Sequence, residues 1–347
     1  MSFKNNIYVV LTEYQFLQAV NIATGIYNDP EILNIIYIIR RGTRLMTIDS
    51  NKNWDFSNIQ IIFLDEKKPF EIAEIILEKN PSHFLFFQGG YALNVYLAYK
   101  LSRRGAEISL GPDGYGPYAV FNKKFHLLSL IIDSFKQNKF LFKNNLFNGK
   151  FHLFDYYKYG NLKFIKNLWI THPDQYKHRA NNKPNILKLP DFSKNCINFV
   201  QDFFNFSQDF PTENEIYFFN QPLKPLLVKA EYKFLQDVIN SYPEKVIIIK
   251  LHPLTSPDIK LLYQNLSGTK VIDSNIPAEV LLLSLNNCIV FTGWSAVLIT
   301  ENNSCNYYFN YPIYKKLNDR AINQINIVNL NHISMISSAN EMKFPNE

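Results

Sequence analysis

Short apolar runs alternate with longer stretches of helical periodicity along almost the whole chain, and this rhythm constrains the fold more than any other feature. In the first half, strands are expected at 7–11, 35–39, 59–64, 84–87 and 107–110, with helices at about 14–27, 70–78 and 92–102. In the second half, strands fall at 215–219, 246–250, 270–272 and 288–291, and helices at 227–241, 259–266 and 278–285. A further helix is expected to open near Trp294. Strands alternating with helices imply βαβ units, whose crossover helices cover both faces of a parallel sheet. The run Val246-Ile247-Ile248-Ile249 lacks polar alternation, as expected of a strand buried on both faces.

A chain of 347 residues exceeds the usual size of a single core, so two domains are expected. The polar, proline-punctuated stretch HPDQYKHRANNKPNILKLP at 172–190 is the best candidate for their connection. The domains are therefore placed at 1–178 and 190–347 with a linker at 179–189, and the last helix is expected to pack back on the first domain. The fold class is α/β, with two Rossmann-like domains whose parallel sheets face a central cleft. Ligands of doubly wound folds bind outside the carboxyl ends of the strands, in such clefts. Fold alone does not give function.

A net charge of +6 suits an anionic substrate, a membrane surface or nucleic acid without choosing among them. No nucleic-acid-binding motif accompanies that charge, which sets nucleic acid aside. Cys196, Cys288 and Cys305 are too few and too scattered for a disulfide framework or a CxxC metal site, which suggests a reducing compartment. The N-terminal apolar run is too short for a signal-peptide core, and no apolar stretch approaches the roughly 20 residues that span a bilayer. A cytoplasmic protein is expected. The run FKQNKFLFKNNLF at 135–147 interleaves lysines with aromatics and reads equally as a membrane contact or as a buried amphipathic helix. Arg40, Arg41, Arg44, Arg103, Arg104, Lys123 and Lys124 read as solvated surface or as contacts to an acceptor or membrane.

Several short motifs can carry chemistry. In VIIIKLHP, Lys250 and His252 fall at the carboxyl end of a strand, two residues apart, so extended chain projects them the same way. Pro253 fixes its own φ and disfavours helical backbone at His252. His252 there can donate to a phosphate or act as a general acid, or it can simply bond a neighbouring loop. His172-Pro173 lies in a polar setting and reads as a loop or hinge.

Glu279, in IPAE, reads as helix-start chemistry or as a carboxylate for a ribose. In CIVFTGWSAVL a strand reaches Thr292-Gly293 with Ser295 at a helix start, a ready phosphate site. A GxGxxG fingerprint and a P-loop are absent, which argues against dehydrogenases and NTPases. In the first half, GPDGYGP at 111–117 is a constrained turn with one carboxylate, Asp113, either a conformational choice or a general base.

Taken together, PDG at 112–114, KLHP at 250–253, Glu279 in IPAE and Ser295 in TGWSA resemble, in that order, the motifs of bacterial GT-B-fold sialyltransferases. This group includes the lipooligosaccharide sialyltransferases and capsule polysialyltransferases. The spacings of 27 residues from His252 to Glu279 and 16 from Glu279 to Ser295 match it, as do FFNQPL at 218–223 and LTEYQ at 11–15. The resemblance implies transfer of sialic acid, with inversion, from CMP-sialic acid to a terminal sugar, a galactoside, on a bacterial surface glycan (lipooligosaccharide, O-antigen or capsule). It makes Asp113 the general base and His252 the group at the leaving phosphate. Lys250 would lie against the cytosine and Glu279 would hold the ribose, while Pro253, Thr292, Gly293 and Ser295 complete the CMP-sugar side. Gly114, Tyr115, Gln15 and Gln88 are the acceptor-side candidates. No cofactor or metal is implied, and the partners are the nucleotide-sugar donor and glycan acceptor, with peripheral contact to the cytoplasmic face of the inner membrane.

Two positions depart from the group's pattern. Pro112 replaces an acidic residue, and Ser295-Ala296 replaces a serine pair, so one phosphate hydroxyl is missing unless Thr292 or Thr300 supplies it. These departures fit another CMP-activated acid, such as Kdo or a different nonulosonate, or a non-catalytic glycan- or nucleotide-binding member.

Overall fold

A computed structural model of the protein describes residues 4–40, 58–121, 126–147, 149, 151–153, 159–176, 183–207, 210–317, 325–327 and 330–346. The chain divides into two compact units, Met1–Asn205 and Phe206–Glu347.

Unit 1 is built on seven parallel strands: β1 (Lys4–Val10), β2 (Ile32–Arg40), β3 (Ile59–Asp65), β4 (His83–Phe86), β5 (Glu107–Leu110), β7 (Asn167–Ile170) and β8 (Asn185–Lys188). Their order across the sheet is β3-β2-β1-β4-β5-β7-β8. A further short strand, β6 (Ala119–Phe121), takes no place in this sheet. The helices are α1 (Glu13–Gly25), α2 (Pro69–Glu78), α3 (Ala92–Arg103), α4 (His126–Lys143) and α5 (Lys194–Phe203). Thr12 caps α1 by accepting the Gln15 N–H at 3.3 Å, and Glu13 in the first turn favours the helix dipole. Pro69 opens α2, where its missing N–H costs nothing. The strand order reverses at β1, which β2 and β4 flank, so the carboxyl ends of β1 and β4 form a topological switch point.

The boundary between the units falls later than the expected linker at 179–189. Strand β8 lies in that stretch and pairs with β7 from Asn167↔Asn185 to Ile170↔Lys188. Helix α5 then packs on α1, with the Phe16 and Phe203 rings stacked at 4.3 Å. His172-Pro173 is consequently no inter-domain hinge: it lies inside unit 1, between β7 and β8, where the Tyr118 hydroxyl accepts the His172 N–H at 2.9 Å. Arg103 and Arg104 are both exposed, and the Arg104 guanidinium donates to the Leu77 carbonyl at 2.6 Å. Arg41, Arg44, Lys123 and Lys124 lie outside the described residues, and Arg40 is described in its backbone alone.

Unit 2 repeats the plan with six parallel strands in the order β11-β10-β9-β12-β13-β15. They are β9 (Ile216–Phe219), β10 (Ile247–Lys250), β11 (Thr269–Ile272), β12 (Cys288–Thr292), β13 (Cys305–Phe309) and β15 (Ile333–Met335), with β14 (Ile325–Ile327) outside the sheet. Helices α6 (Pro225–Ser241), α7 (Pro257–Gln264), α8 (Ala278–Leu282) and α9 (Tyr311–Lys315) complete the unit. Strands β9, β10 and β12 are buried along their whole length, as the uninterrupted apolar runs require. Here the order reverses at β9, between β10 and β12. The expected last helix is a single 3-10 turn, Ala339–Glu341, and it packs on its own unit: the Ser241 hydroxyl bonds the Asn340 amide oxygen at 3.0 Å. All three cysteines are free and buried. No helix among the described residues is long and apolar enough to cross a membrane.

Candidate active site

The sequence-selected residues of unit 1 converge at the carboxyl ends of β1, β4 and β5. Chain leaving β1 carries Gln15, chain leaving β4 carries Gln88, and chain leaving β5 carries Asp113. Asp113, Gln88 and Tyr159 line a cavity of about 380 Å³ whose wall also includes Phe87, Leu110 and Gln137.

The turn that presents Asp113 depends on its glycines at two points. A Cβ on Gly111 would sit 2.4 Å from the Phe87 ring, so only glycine lets β5 exit beside the end of β4. Gly114 has a left-handed φ of 59°, which reverses the chain immediately after Asp113.

Gln15 is fully buried, and both ends of its amide are assigned by their partners. Its Oε1 accepts the Leu11 N–H at 2.8 Å, which leaves the NH₂ to donate to Asp113 Oδ1, also at 2.8 Å. Gln15 therefore positions the carboxylate and, being fully buried, offers no exposed surface of its own. One Asp113 oxygen is thus held in place by the Gln15 amide, a neutral donor.

Tyr159 was not expected from the sequence. Its hydroxyl donates to the Gly111 carbonyl, and burial followed by the nearby Asp113 charge raises its pKa well above the ordinary tyrosine range. It therefore remains a neutral strut under the turn. Tyr115 is half-buried and packs edge-on against Tyr118 at 5.9 Å, with its phenol also kept neutral by burial.

In unit 2 the selected residues gather at the ends of β10 and β12 and the start of α8. They divide into surface and support. His252 is half-buried and Pro253 exposed. His252 Nδ1 accepts the Leu254 N–H at 3.1 Å, so the neutral ring is the tautomer carrying its proton on Nε2. The ring thus turns a donor away from the backbone.

Lys250 does not share its direction. It is buried, with Nζ donating to the carbonyls of Leu251 at 2.9 Å and Ser274 at 2.6 Å. The strand ends at Lys250, and His252 already opens a turn closed by Thr255 N–H to His252 O at 2.9 Å, so the extended register that would align the two side chains is not kept. Lys250 ties the exit of β10 to the segment that leads into α8.

Glu279 is buried in the first turn of α8. Loss of hydration pushes its carboxyl up to about 7, against the opposing pull of its own backbone N–H and the Lys250 charge. Thr292 is wholly buried and its hydroxyl donates to the Phe219 carbonyl at 2.6 Å, which staples β12 to β9. It is therefore not the missing phosphate hydroxyl, and Thr300 is buried too.

The helix expected to open near Trp294 is one 3-10 turn, Ala296–Ile299, capped by Ser295, whose Oγ accepts the Val297 N–H at 3.4 Å. A turn this short carries little macrodipole, so the polar group it offers at this point is the Ser295 hydroxyl. Gly293 is required here: a Cβ would lie 2.9 Å from Gln221 Oε1, the atom that accepts the Trp294 N–H at 2.9 Å.

Beneath this surface lies a buried polar hub that the sequence did not reveal. The Glu231 carboxyl accepts from Tyr314 at 2.7 Å, from Asn220 at 3.0 Å and from Tyr263. Asn220 in turn accepts the Thr255 hydroxyl at 2.6 Å, and its N–H bonds the Lys250 carbonyl at 3.0 Å. The Tyr314 ring packs edge-on against Trp294 at 5.2 Å. One carboxyl therefore braces the loop after β9, the His-Pro turn and the loop after β12.

Burial pushes Glu231 up to about 7 despite its three donors. Both Glu231 and Glu279 thus hold protons in the folded protein that they release more readily when unfolded, from an ordinary value of 4.5. For such groups stability is fully present below the unfolded pKa and is lost as pH rises towards the folded one. The unfolding free energy from urea titration, and with it the midpoint, is expected to fall as pH rises from about 5 to 7.5, the free energy by up to roughly 3 kcal/mol for each carboxyl. Glu231→Gln should flatten that profile, and a midpoint equally steep in the variant would contradict the assignment.

The description of the family whose model matches residues 94–309 is alpha-2,8-polysialyltransferase. No curated protein sequence matches the chain. Among solved structures, it is similar to the GT-B domain of a sialyltransferase from Photobacterium damselae, with 13% identity and a TM-score of 0.55 over 96% of this chain and 99% of that one. It is also similar to the 2,6-sialyltransferase of Photobacterium sp. JT-ISH-224, solved with CMP and lactose, with 14% identity and a TM-score of 0.57 over 96% of this chain and 78% of that one. At these identities the structures share a fold, the GT-B arrangement.

Proposed function

The chain belongs to the alpha-2,8-polysialyltransferase family and is a sialyltransferase, and from that premise we propose that it moves sialic acid, with inversion, from CMP-sialic acid to a hydroxyl of a terminal galactoside on a bacterial surface glycan. Asp113 takes the proton of the attacking hydroxyl as the new oxygen–carbon bond forms. The bond from the anomeric carbon to the phosphate oxygen breaks, and CMP departs with the electron pair. His252 Nε2–H and the Ser295 hydroxyl meet the charge that develops on that phosphate. Glu279 takes the ribose hydroxyls. Lys250 and Thr292 act from beneath, setting the loops that carry these groups.

The observation that carries this reading is the Gln15–Asp113 pair at 2.8 Å on the wall of a cavity, a carboxylate oriented by a neutral donor where an acceptor can enter. Pro112 and Ala296 favour one variation, a different CMP-activated acid such as Kdo, because each removes a polar group from the motifs. A competition assay decides between them. With CMP-sialic acid and CMP-Kdo at equal concentration and a mixed galactoside acceptor pool, the expected products carry sialic acid. Products carrying only Kdo would move the assignment to the second donor.

A further inference from the structure

Helix α4 exposes a run of apolar side chains on the side that meets water. Its inner face, packed on α3, holds the buried polar side chains Ser134 and Asn138 together with Leu141. Its outer face presents Ile131, Phe135 and Phe142, with Phe135 63% and Phe142 72% exposed. These three positions fall within about 40° of one another around a helix of 3.6 residues per turn. This exposure is built in rather than frayed. Asn138 donates to the Ser134 carbonyl at 2.7 Å and the His152 carbonyl at 2.8 Å, and accepts the His152 N–H at 3.0 Å. Those bonds bring the chain after the helix back alongside it and set exposed Phe151 edge-on to Phe135 at 5.2 Å. Exposed Phe147 meets Phe142 in the same way at 6.2 Å.

Single exposed apolar residues are unremarkable, but a contiguous aromatic patch marks a docking surface. Its flank identifies the partner. Lys136, Lys139 and Lys143 are exposed along one side of the stripe, against a single acidic residue, Asp133, 3.8 Å from Lys136. A second copy of the same patch would bring like charges together, whereas an anionic lipid surface complements them. Apolar rings on one face with lysines beside them are the features of a helix that lies in a bilayer interface.

We propose that α4 and the segment after it dock the protein on anionic lipid, with the Phe135 and Phe142 rings entering the headgroup boundary and the lysines engaging lipid phosphates. This proposal is independent of the transfer chemistry and stands or falls separately from it.

Sedimentation of the full chain with vesicles tests it. The protein should pellet with phosphatidylglycerol/phosphatidylethanolamine vesicles, at least about tenfold less with phosphatidylcholine alone, and progressively less as salt rises. Phe135→Ser/Phe142→Ser and Lys139→Gln/Lys143→Gln should each lose binding at least tenfold, with unchanged thermal midpoints, because these side chains are exposed. Failure of the wild-type chain to pellet would overturn the proposal. So would a wild-type dimer, seen by light scattering, that the phenylalanine variant converts to monomer: the patch would then be a subunit interface.

Discussion

Asp113→Asn is expected to lower the rate of sialyl transfer about 10³-fold while leaving CMP binding unchanged. Asparagine keeps the shape of the side chain and can accept the Gln15 amide through its own oxygen, so the turn at 111–117 should hold. What it cannot do is take a proton from the acceptor hydroxyl. No second carboxylate in the motif can replace it, because Pro112 stands where one would be. The loss should appear in kcat, with little change in KM for the donor, since the base acts in the transition state. A variant within tenfold of wild type would remove Asp113 from the chemistry.

The second large effect is expected at His252. His252→Ala removes the imidazole that the proposed mechanism sets against developing phosphate charge, and losses of roughly 10²–10³ in kcat are expected when one such donor is deleted. His252→Gln is the informative companion, because glutamine can donate a hydrogen bond and cannot protonate. Partial rescue by glutamine would assign His252 to electrostatic stabilisation of the leaving group; rescue by neither, with Asp113 intact, would assign it to general-acid proton transfer. Full activity in His252→Ala would place the leaving phosphate elsewhere. Donor binding should also weaken in Ser295→Ala, by the smaller amount that one hydroxyl contributes.

Much of this architecture was legible because parallel sheets write themselves as uninterrupted apolar runs. The runs III, CIVF and FLF form buried strands, and the chain leaving their carboxyl ends carries His252, Gly293 and Gln88. The residues that failed are instructive in physical terms. NILK at Asn185–Lys188 looked like linker because β8 is an edge strand with mostly exposed side chains, so it has no apolar run to declare it. The helix expected after TGWS stops after one turn. Asn302 sits just beyond it and ties the chain back to the Leu282 and Leu285 carbonyls, at 2.9 and 2.7 Å.

Buried polar positions were the least legible. Glu231 lies in KAEYK, which reads as a solvated helix face, yet it is 1% exposed and holds three elements together. Lys250 and Thr292 were picked out by their place at strand ends, which was correct, but strand-end position does not say whether a side chain turns outward. Their partners, the Leu251, Ser274 and Phe219 carbonyls, can be identified only in the folded chain. Conversely, α4 carries enough phenylalanine to suggest burial, and the fold leaves Phe135 and Phe142 exposed.

The most direct measurement is a coupled count of products: CMP released and acceptor glycan gaining one sialyl mass, followed together in one reaction of wild-type protein, CMP-sialic acid and a galactoside. Equal amounts of the two, both absent when the acceptor is omitted and both lost in Asp113→Asn, are the expected result. CMP bound but never released, with the acceptor mass unchanged, would contradict the transfer reading outright.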